Sequence, residues 1–120
     1  MEPSPNTNIM KLRDQAHLVQ LCQKEETFLV LVYSDKCKPC KRLKPSLFEK
    51  ATLHDINMFT IHVDKKNHTC LMKKLEVGKV PHVACFYNGE YKGSIQNSEI
   101  AVTWPFVEKC IDTFELTNDF

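Results

Sequence analysis

Apolar residues along this chain follow two patterns, one typical of buried strands and one typical of helices. Short runs rich in β-branched and aromatic residues predict strands at residues 9–12, 27–33, 58–63, 82–87 and 91–95. Between these runs, apolar residues at helical spacing predict helices at residues 14–23, 41–53, 70–75 and 102–114. The predicted order is β-α-β-α-β-α-β-β-α, an α/β arrangement.

The second predicted strand belongs in the centre of the sheet. Phe28-Leu29-Val30-Leu31-Val32-Tyr33 is almost unbroken apolar sequence, which is typical of a strand buried on both faces of a parallel sheet. Asn88-Gly89 is a strong hairpin signal and makes the last two strands antiparallel neighbours. Pro45 is predicted to kink the second helix, and Pro105 to fit the first turn of the last.

Length and composition indicate one globular domain. The 120 residues, 42% hydrophobic and 26% charged, are enough for a single core. We predict one domain over residues 1–120, with residues 1–8 flexible and residues 116–120 fraying. The net charge of +1 favours no nucleic acid, and no apolar run approaches the ~20 residues that cross a membrane. The start lacks the features of a secretory signal, which predicts a cytoplasmic protein with reduced thiols.

The candidate chemistry lies in Cys37-Lys38-Pro39-Cys40, between the central strand and the second helix. The helix dipole and unpaired amide N–H groups favour a thiolate at a helix start, so Cys37 is the leading candidate nucleophile. Pro39 has a fixed φ that suits a first helical turn. Lys36 and Lys38 are predicted to lower the pKa of Cys37 modestly, because salt screens exposed charges. They belong to a basic cluster formed by Lys36, Lys38, Lys41, Arg42 and Lys44. This cluster is either a solvated face or a docking patch for acidic partners.

A structural disulfide or half of a zinc site is the alternative interpretation of the Cys-x-x-Cys pair. A zinc centre needs a second pair of ligands at suitable spacing, and none is evident, so we predict no metal. The remaining cysteines lie in apolar patterns and are predicted to be small buried hydrophobes: Cys22, Cys70, Cys85 and Cys110. A regulatory role for Cys70 stays open. Trp104 is predicted to pack at the start of the last helix. Four histidines are predicted to lie on polar faces without a special role: His17, His54, His62 and His68.

The chain resembles the thioredoxin family over nearly its whole length. The element order agrees, and so do several segments: Tyr33 to Lys41 around the two cysteines, Lys44-Pro45, Val63-Asp64, Val80-Pro81, and Phe86 to Glu90. The resemblance implies the thioredoxin fold, a central mixed five-stranded sheet flanked by about four helices. It also implies that the bond between Val80 and Pro81 is cis, and that this proline backbone lies against Cys37 and pairs with an incoming substrate strand.

The activity that the resemblance implies is thiol–disulfide exchange. Cys37 attacks a disulfide as a thiolate, and Cys40 resolves the mixed disulfide. The implied partners are disulfide-containing protein substrates and a thioredoxin reductase or glutathione system for recycling. We expect no cofactor and a monomeric protein.

Several positions depart from the family pattern near the two cysteines. Lys36 stands where the family has tryptophan, and Lys38 where it usually has glycine. Leu31 stands where a typical member has a buried aspartate that helps deprotonate the second cysteine, and the lysine partner of that aspartate is replaced by Thr60. These changes predict a protein that forms mixed disulfides readily and resolves them slowly, because no obvious group takes the proton of Cys40.

The substrate surface also departs from the family. His82 follows Pro81 where threonine is common, and a groove glycine is replaced near Asn97. A protonated His82 would stabilise the Cys37 thiolate, or its ring would contact substrate. Two other functions therefore stay open: a thioredoxin-fold binding module with little or no redox turnover, and a glutaredoxin-like reductase that uses glutathione.

Overall fold

The order of strands and helices agrees with the sequence prediction. The computed structural model describes residues 9–63 and 69–118, with the side chains of all of them except residues 69–71 and 112–118. Residues 1–8 and 119–120, for which we predicted flexibility and fraying, lie outside the described residues, as does His68. The elements are β1 (Ile9–Lys11), α1 (Gln15–Gln23), β2 (Phe28–Tyr33), α2 (Lys38–Leu53), β3 (Asn57–His62), α3 (Thr69–Lys74), β4 (His82–Tyr87), β5 (Glu90–Ile95) and α4 (Ile100–Asn118).

The five strands form one mixed sheet in the order β1-β3-β2-β4-β5. β3 pairs in parallel with β1 and β2, whereas β4 pairs antiparallel with β2 and β5. β2 thus lies in the middle, and its first five residues are buried. This arrangement confirms the predicted fold class and the central position of β2.

Side chains that alternate along β2 enter two hydrophobic layers. On one face, Phe28 stacks on Phe86 of β4 with ring centroids 4.7 Å apart, and this layer includes residues of α1 and α3. On the other face, Leu29 and Leu31 enter a layer with residues of α2 and α4. Trp104 is 5% exposed in that second layer, as a packing residue of α4 should be. The sheet is therefore covered on both faces, which explains the continuous apolar sequence of β2.

α2 and α4 begin two or more residues earlier than the apolar spacing predicted. α2 starts at Lys38, three residues before the prediction, because Cys37 caps the helix and Pro39 is tolerated in its first turn. α4 starts at Ile100, so Pro105 lies in its second turn and the prediction for this residue was wrong. Pro45 lies within α2 as expected.

The hairpin between β4 and β5 depends on two residues with positive φ. Asn88 has φ 51° and Gly89 has φ 82°, the signs that a tight hairpin turn of this kind requires. A Cβ at Gly89 would also collide with the carbonyl oxygen of Cys22. The turn is held against the connection between α1 and β2 by bonds from Gly89 N–H to the Glu26 oxygen (2.9 Å) and from Asn88 N–H to Thr27 Oγ1 (3.1 Å).

Candidate active site

Cys37 is the N-cap of α2, at the carboxyl end of the central strand. The turn that leads into it is closed by a bond from Cys37 N–H to the Ser34 carbonyl oxygen, 3.2 Å long. Cys37 and Cys40 form a disulfide, with their Cα atoms 5.2 Å apart. The Cys40 amide donates a hydrogen bond to Cys37 Sγ at 3.1 Å, as the third residue of a helix does to a capping side chain. The sulfur therefore occupies the position where a helix terminus stabilises negative charge.

The two sulfur-bearing residues differ sharply in exposure. Cys37 is partly exposed, whereas Cys40 is only 1% exposed. Cys40 is buried because the third residue of α2 turns toward the layer between this helix and the sheet. An external thiol or disulfide can therefore reach Cys37 and not Cys40.

The chain before β4 lies directly against Cys37. The Val80–Pro81 bond is cis, as the family resemblance implied. Cys37 Sγ is 3.7 Å from the Val80 carbonyl oxygen, and the Pro81 side chain is buried. The structure thus brings together Cys37, Cys40, Val80 and Pro81, four of the predicted site residues.

The basic cluster divides into side chains with different surroundings. Lys36 and Lys38, next to Cys37 in sequence, are exposed. Arg42 pairs with Glu99 at 3.3 Å, with side chains 70% and 59% exposed, so this pair contributes little to stability. Lys44 Nζ lies 4.0 Å from the centroid of the Tyr33 ring. The cluster is therefore not one uniform patch.

The positions of the family's buried acid and its lysine partner are neighbours in the sheet. Leu31 and Thr60 are direct partners in the parallel register of β2 and β3, and both are buried. Neither side chain ionises, so this pair of positions supplies no proton acceptor.

His82 is more buried than the two roles that the sequence suggested for it would require. Its side chain is 1% exposed, so the ring is not available to a substrate at the surface. Burial lowers the pKa of His82, opposed by a backbone hydrogen bond with Leu75, so the surroundings favour the neutral ring. Its Nδ1 lies 3.4 Å from Gln96 Nε2, a contact that joins the start of β4 to the loop after β5. Burial therefore disfavours a charged ring beside the thiolate, and the role of His82 at the site stays a prediction.

His62 is a residue near the site that the sequence analysis missed. We expected it on a polar face, but its side chain is only 17% exposed and its Nε2 lies 2.8 Å from Asp35 Oδ2, in the turn before Cys37. Its ring also meets Tyr33 edge to face, with centroids 4.9 Å apart. The feature that could have revealed this position is the parallel pairing of β2 with β3, which places Tyr33 opposite His62.

The other cysteines have three different outcomes. Cys85 is fully buried, as predicted. Cys22 and Cys110 are partly exposed, so the prediction of burial was wrong for them. The Cys70 side chain is outside the described residues, so its regulatory role stays a prediction. Among the residues that the structure describes, no group of three or more His, Cys, Asp or Glu side chains could hold a metal ion.

A cavity lies away from these cysteines, and the described helices bear on the question of membrane spanning. A mainly apolar cavity of about 350 Å³ is bordered by α1, α3 and the β4–β5 hairpin, and no predicted site residue lines it. In the described part of the chain, no helix combines the length and apolar character needed to span a bilayer.

The mixed sheet, with a disulfide at a helix start and a cis proline beside it, defines a thioredoxin-fold protein with a Cys-x-x-Cys site. The sequence model of the thioredoxin family matches residues 8–103. The chain therefore belongs to the thioredoxin family. This assignment supports thiol–disulfide exchange in general terms, because the two cysteines are at disulfide distance.

Solved structures of thioredoxins have the same fold. Mitochondrial thioredoxin 3 from Saccharomyces cerevisiae, in oxidised form, has a TM-score of 0.76 at 21% identity, covering 88% of this chain and 99% of that one. Reduced thioredoxin pre-protein from Schistosoma mansoni gives 0.74 at 25% identity, covering 88% and 100%. Thioredoxin O1 from Arabidopsis thaliana, oxidised, gives 0.72 at 16% identity, covering 86% and 97%. A comparison with curated protein sequences found no match.

Proposed function

We propose that this protein reduces disulfides in protein substrates, with Cys37 as the nucleophile and Cys40 as the resolving residue. The observation that carries the proposal is the hydrogen bond of 3.1 Å from the Cys40 amide to Cys37 Sγ at the start of α2. In the reduced protein the same amide would stabilise a Cys37 thiolate, which is the reactive form.

The proposed reaction has two exchange steps. The Cys37 thiolate attacks one sulfur of a substrate disulfide and expels the other as a thiolate, forming a mixed disulfide. Cys40 then loses its proton and attacks Cys37, which releases the second substrate sulfur and leaves the Cys37–Cys40 disulfide. The substrate gains two electrons from the protein. A thioredoxin reductase or the glutathione system then reduces the Cys37–Cys40 disulfide again.

Residues around Cys37 have supporting roles in this proposal. Backbone groups at Val80 and Pro81 would pair with the extended substrate segment, because this stretch lies against Cys37 Sγ. The charges of Lys36 and Lys38 would stabilise the Cys37 thiolate. They would also attract acidic substrate surfaces. His82 would act as a neutral packing group that fixes the start of β4 through Gln96.

Resolution is the step that we propose to be slow. The pair of Leu31 and Thr60 offers no carboxylate to accept the proton of Cys40, which is 1% exposed. Buried apolar surroundings also raise the pKa of a thiol in general, so the attacking thiolate would be scarce. Mixed disulfides should consequently persist longer than in a protein with an acid at this position.

The first test is insulin reduction with dithiothreitol as the electron donor. Wild-type protein should catalyse it, and Cys37→Ser should abolish catalysis, because a serine hydroxyl does not exchange with disulfides. Cys22→Ser is the matched control, since Cys22 is a partly exposed thiol on α1 and should leave the rate unchanged. A folded wild-type protein without turnover, or an active Cys37→Ser variant, would contradict the proposal.

Two other functions have a specific observation in their favour. A binding module is favoured by the absence of an acid at Leu31, and would show substrate binding without turnover. Glutathione-dependent reduction is favoured by the exposed Lys36 and Lys38, whose charges match the carboxylates of glutathione. Turnover of a small glutathione mixed disulfide faster than insulin would select the latter. Monomeric state and a cytoplasmic location stay predictions from the sequence.

A further inference from the structure

The turn that leads into Cys37 is tied to a neighbouring strand by a side-chain contact. His62, the last residue of β3, has its Nε2 2.8 Å from Asp35 Oδ2, in the turn between β2 and α2. The parallel register places Tyr33 opposite His62, and Val63 N–H donates to the Tyr33 carbonyl oxygen at 2.9 Å. The end of β3 therefore reaches the segment before Cys37 through both its backbone and a side chain.

The partner of His62 identifies which ring nitrogen carries the hydrogen. An ionised carboxylate only accepts hydrogen bonds, so Nε2 of His62 donates to Asp35. A bond to an ionised acceptor is stronger than one between neutral groups. The His62 side chain is 17% exposed and that of Asp35 is 76% exposed. The histidine is therefore the fixed member of the pair, and the aspartate is the member that it holds.

The His62 ring is itself held in place by packing. It meets the Tyr33 ring edge to face, with centroids 4.9 Å apart. Lys44 of α2 has its Nζ 4.0 Å from the centroid of the same tyrosine ring. These contacts join β3, β2 and α2 at the edge of the sheet where Cys37 lies, so the Nε2 donor has a defined position there.

We propose that His62 is a positioning residue for Cys37, which holds the preceding turn through its bond to Asp35. This inference rests on the proposed role of Cys37 as a nucleophile. The turn also has local bonds, from Cys37 N–H and from Lys36 N–H to the carbonyl and hydroxyl oxygens of Ser34, both 3.2 Å long. The bond from His62 differs from these because its donor belongs to another strand, and so it fixes the turn relative to the sheet.

A loosened turn should lower the reactivity of Cys37 for two reasons. The Cys40 amide reaches Cys37 Sγ at 3.1 Å while Cys37 caps α2, and this bond would stabilise the thiolate. A carboxylate released from His62 would also be a mobile negative charge close to Cys37 in the chain, and a like charge disfavours a thiolate. Both effects reduce the thiolate fraction, so attack on an electrophile should become slower.

Alkylation of the reduced protein with iodoacetamide measures this reactivity without any substrate turnover. His62→Phe keeps a ring against Tyr33 and removes the donor, so alkylation of Cys37 at pH 7 should slow roughly threefold. His62→Gln is the matched control, because its amide keeps a donor near the position of Nε2, and its rate should stay within about 1.5-fold of wild type. Fragment-ion mass spectrometry assigns the label to Cys37 rather than Cys40.

A double-mutant cycle tests whether the two side chains act through each other. Asp35→Ala removes the acceptor, so adding His62→Phe to it should change the alkylation rate by less than about 1.3-fold. Asp35→Ala also provides a test if His62→Phe fails to fold, since Asp35 is an exposed turn residue. In this variant the Cys37 amide, which donates to the Ser34 carbonyl oxygen, should exchange its hydrogen with solvent at least about threefold faster.

Several results would overturn the proposal. One is an unchanged alkylation rate in a folded His62→Phe protein. Another is a loss in His62→Gln as large as that in His62→Phe, which would assign the effect to the ring and not to the bond. A third is an equal effect of His62→Phe with and without Asp35, or unchanged amide exchange in Asp35→Ala. Failure of the proposed reductase activity would look different, because insulin turnover would be absent while the alkylation rates still differed as expected.

Discussion

Cys37 and Cys40 form a disulfide, whereas Cys85 and Cys110 are free cysteines of one hydrophobic layer, and both pairs adjoin β4. The first pair lies beside the Val80 carbonyl oxygen just before this strand, and the second uses a residue in the middle of it. In the first pair the exposed sulfur caps a helix and has an amide N–H as donor. In the second pair the partly exposed sulfur, that of Cys110, is instead a donor, to the Lys92 carbonyl oxygen at 4.0 Å.

The ionisation of a thiol, which governs its reactivity, depends on its surroundings as well as on its exposure. Cys22 and Cys110 are both partly exposed, yet burial raises the pKa of one, while a neighbouring thiol lowers the pKa of the other. An open substrate surface is a separate requirement. Among the cysteines whose side chains are described, Cys37 is the one placed beside the segment at Val80 and Pro81 that leads into β4.

The sharpest way to separate the two pairs is to remove one sulfur from each. Cys40→Ser should reduce insulin turnover by more than ~100-fold and trap a mixed disulfide on Cys37, because no internal thiol resolves it. Cys110→Ser should keep the turnover within about twofold, since it lies outside the proposed reaction. Turnover rates and the mass of the trapped species check this. Equal losses in both variants would show that the pairs do not act separately.

A buried acid at Leu31 would test what the first pair lacks. Leu31→Asp should accelerate resolution of the mixed disulfide about tenfold, because a carboxylate would accept the Cys40 proton. It should also lower the free energy of unfolding by about 3 to 5 kcal/mol, because it replaces a buried apolar side chain with an ionisable one.

Stopped-flow kinetics and urea unfolding measure both effects of this change. Leu31→Asn is the matched control, because it has nearly the shape of aspartate and no ionisable group, so it should lose stability without gaining rate. Equal rates for the two variants would argue against the absence of an acid as the cause of slow resolution.

His82 connects the two regions, since it starts the strand that contains Cys85. The unfolded ring has the higher pKa because burial lowers the folded value, so the unfolded state binds more protons below pH 6.5. The contribution of His82 is therefore fully present above this pH, and stability should fall as the pH drops toward 5, by at most about 1.4 kcal/mol per pH unit.

Urea unfolding at several pH values measures this slope. His82→Gln should flatten it, and His54→Gln is the control on an exposed histidine. An unchanged slope in His82→Gln would contradict the prediction.

The smallest expected effect concerns the lysines beside Cys37. Replacing both Lys36 and Lys38 with glutamine should slow alkylation of Cys37 roughly two- to threefold at low salt, and less at 0.5 M salt, because both are exposed. Alkylation of Cys110 in the same sample is the internal reference and should not change. A salt-independent effect would point to a cause other than charge.

The fold could be predicted from the sequence because its strongest signals are local. The continuous apolar run of β2 and the Asn88-Gly89 turn each define their element without information from distant residues. The start of α2 was placed three residues late because the apolar spacing does not register the capping by Cys37. A helix boundary that depends on a side-chain hydrogen bond is a tertiary property as much as a local one.

The candidate site was predictable only where its residues are close in the chain. Cys37 and Cys40 share one motif, and Val80 and Pro81 followed from the family resemblance. The contact of His62 with Asp35 depends on the parallel register of β2 and β3, which spacing along one strand does not reveal. The burial of His82 and the common layer of Cys85 and Cys110 likewise depend on packing between separate elements.

The β4–β5 turn has a consequence for how the protein emerges during synthesis. Glu26 and Thr27 accept hydrogen bonds from Gly89 and Asn88, and one edge of β2 pairs with β4. A nascent chain that ends before β4 therefore exposes an unpaired edge of its most apolar strand. We expect the ribosome-bound chain to need protection by a chaperone until the hairpin leaves the exit tunnel.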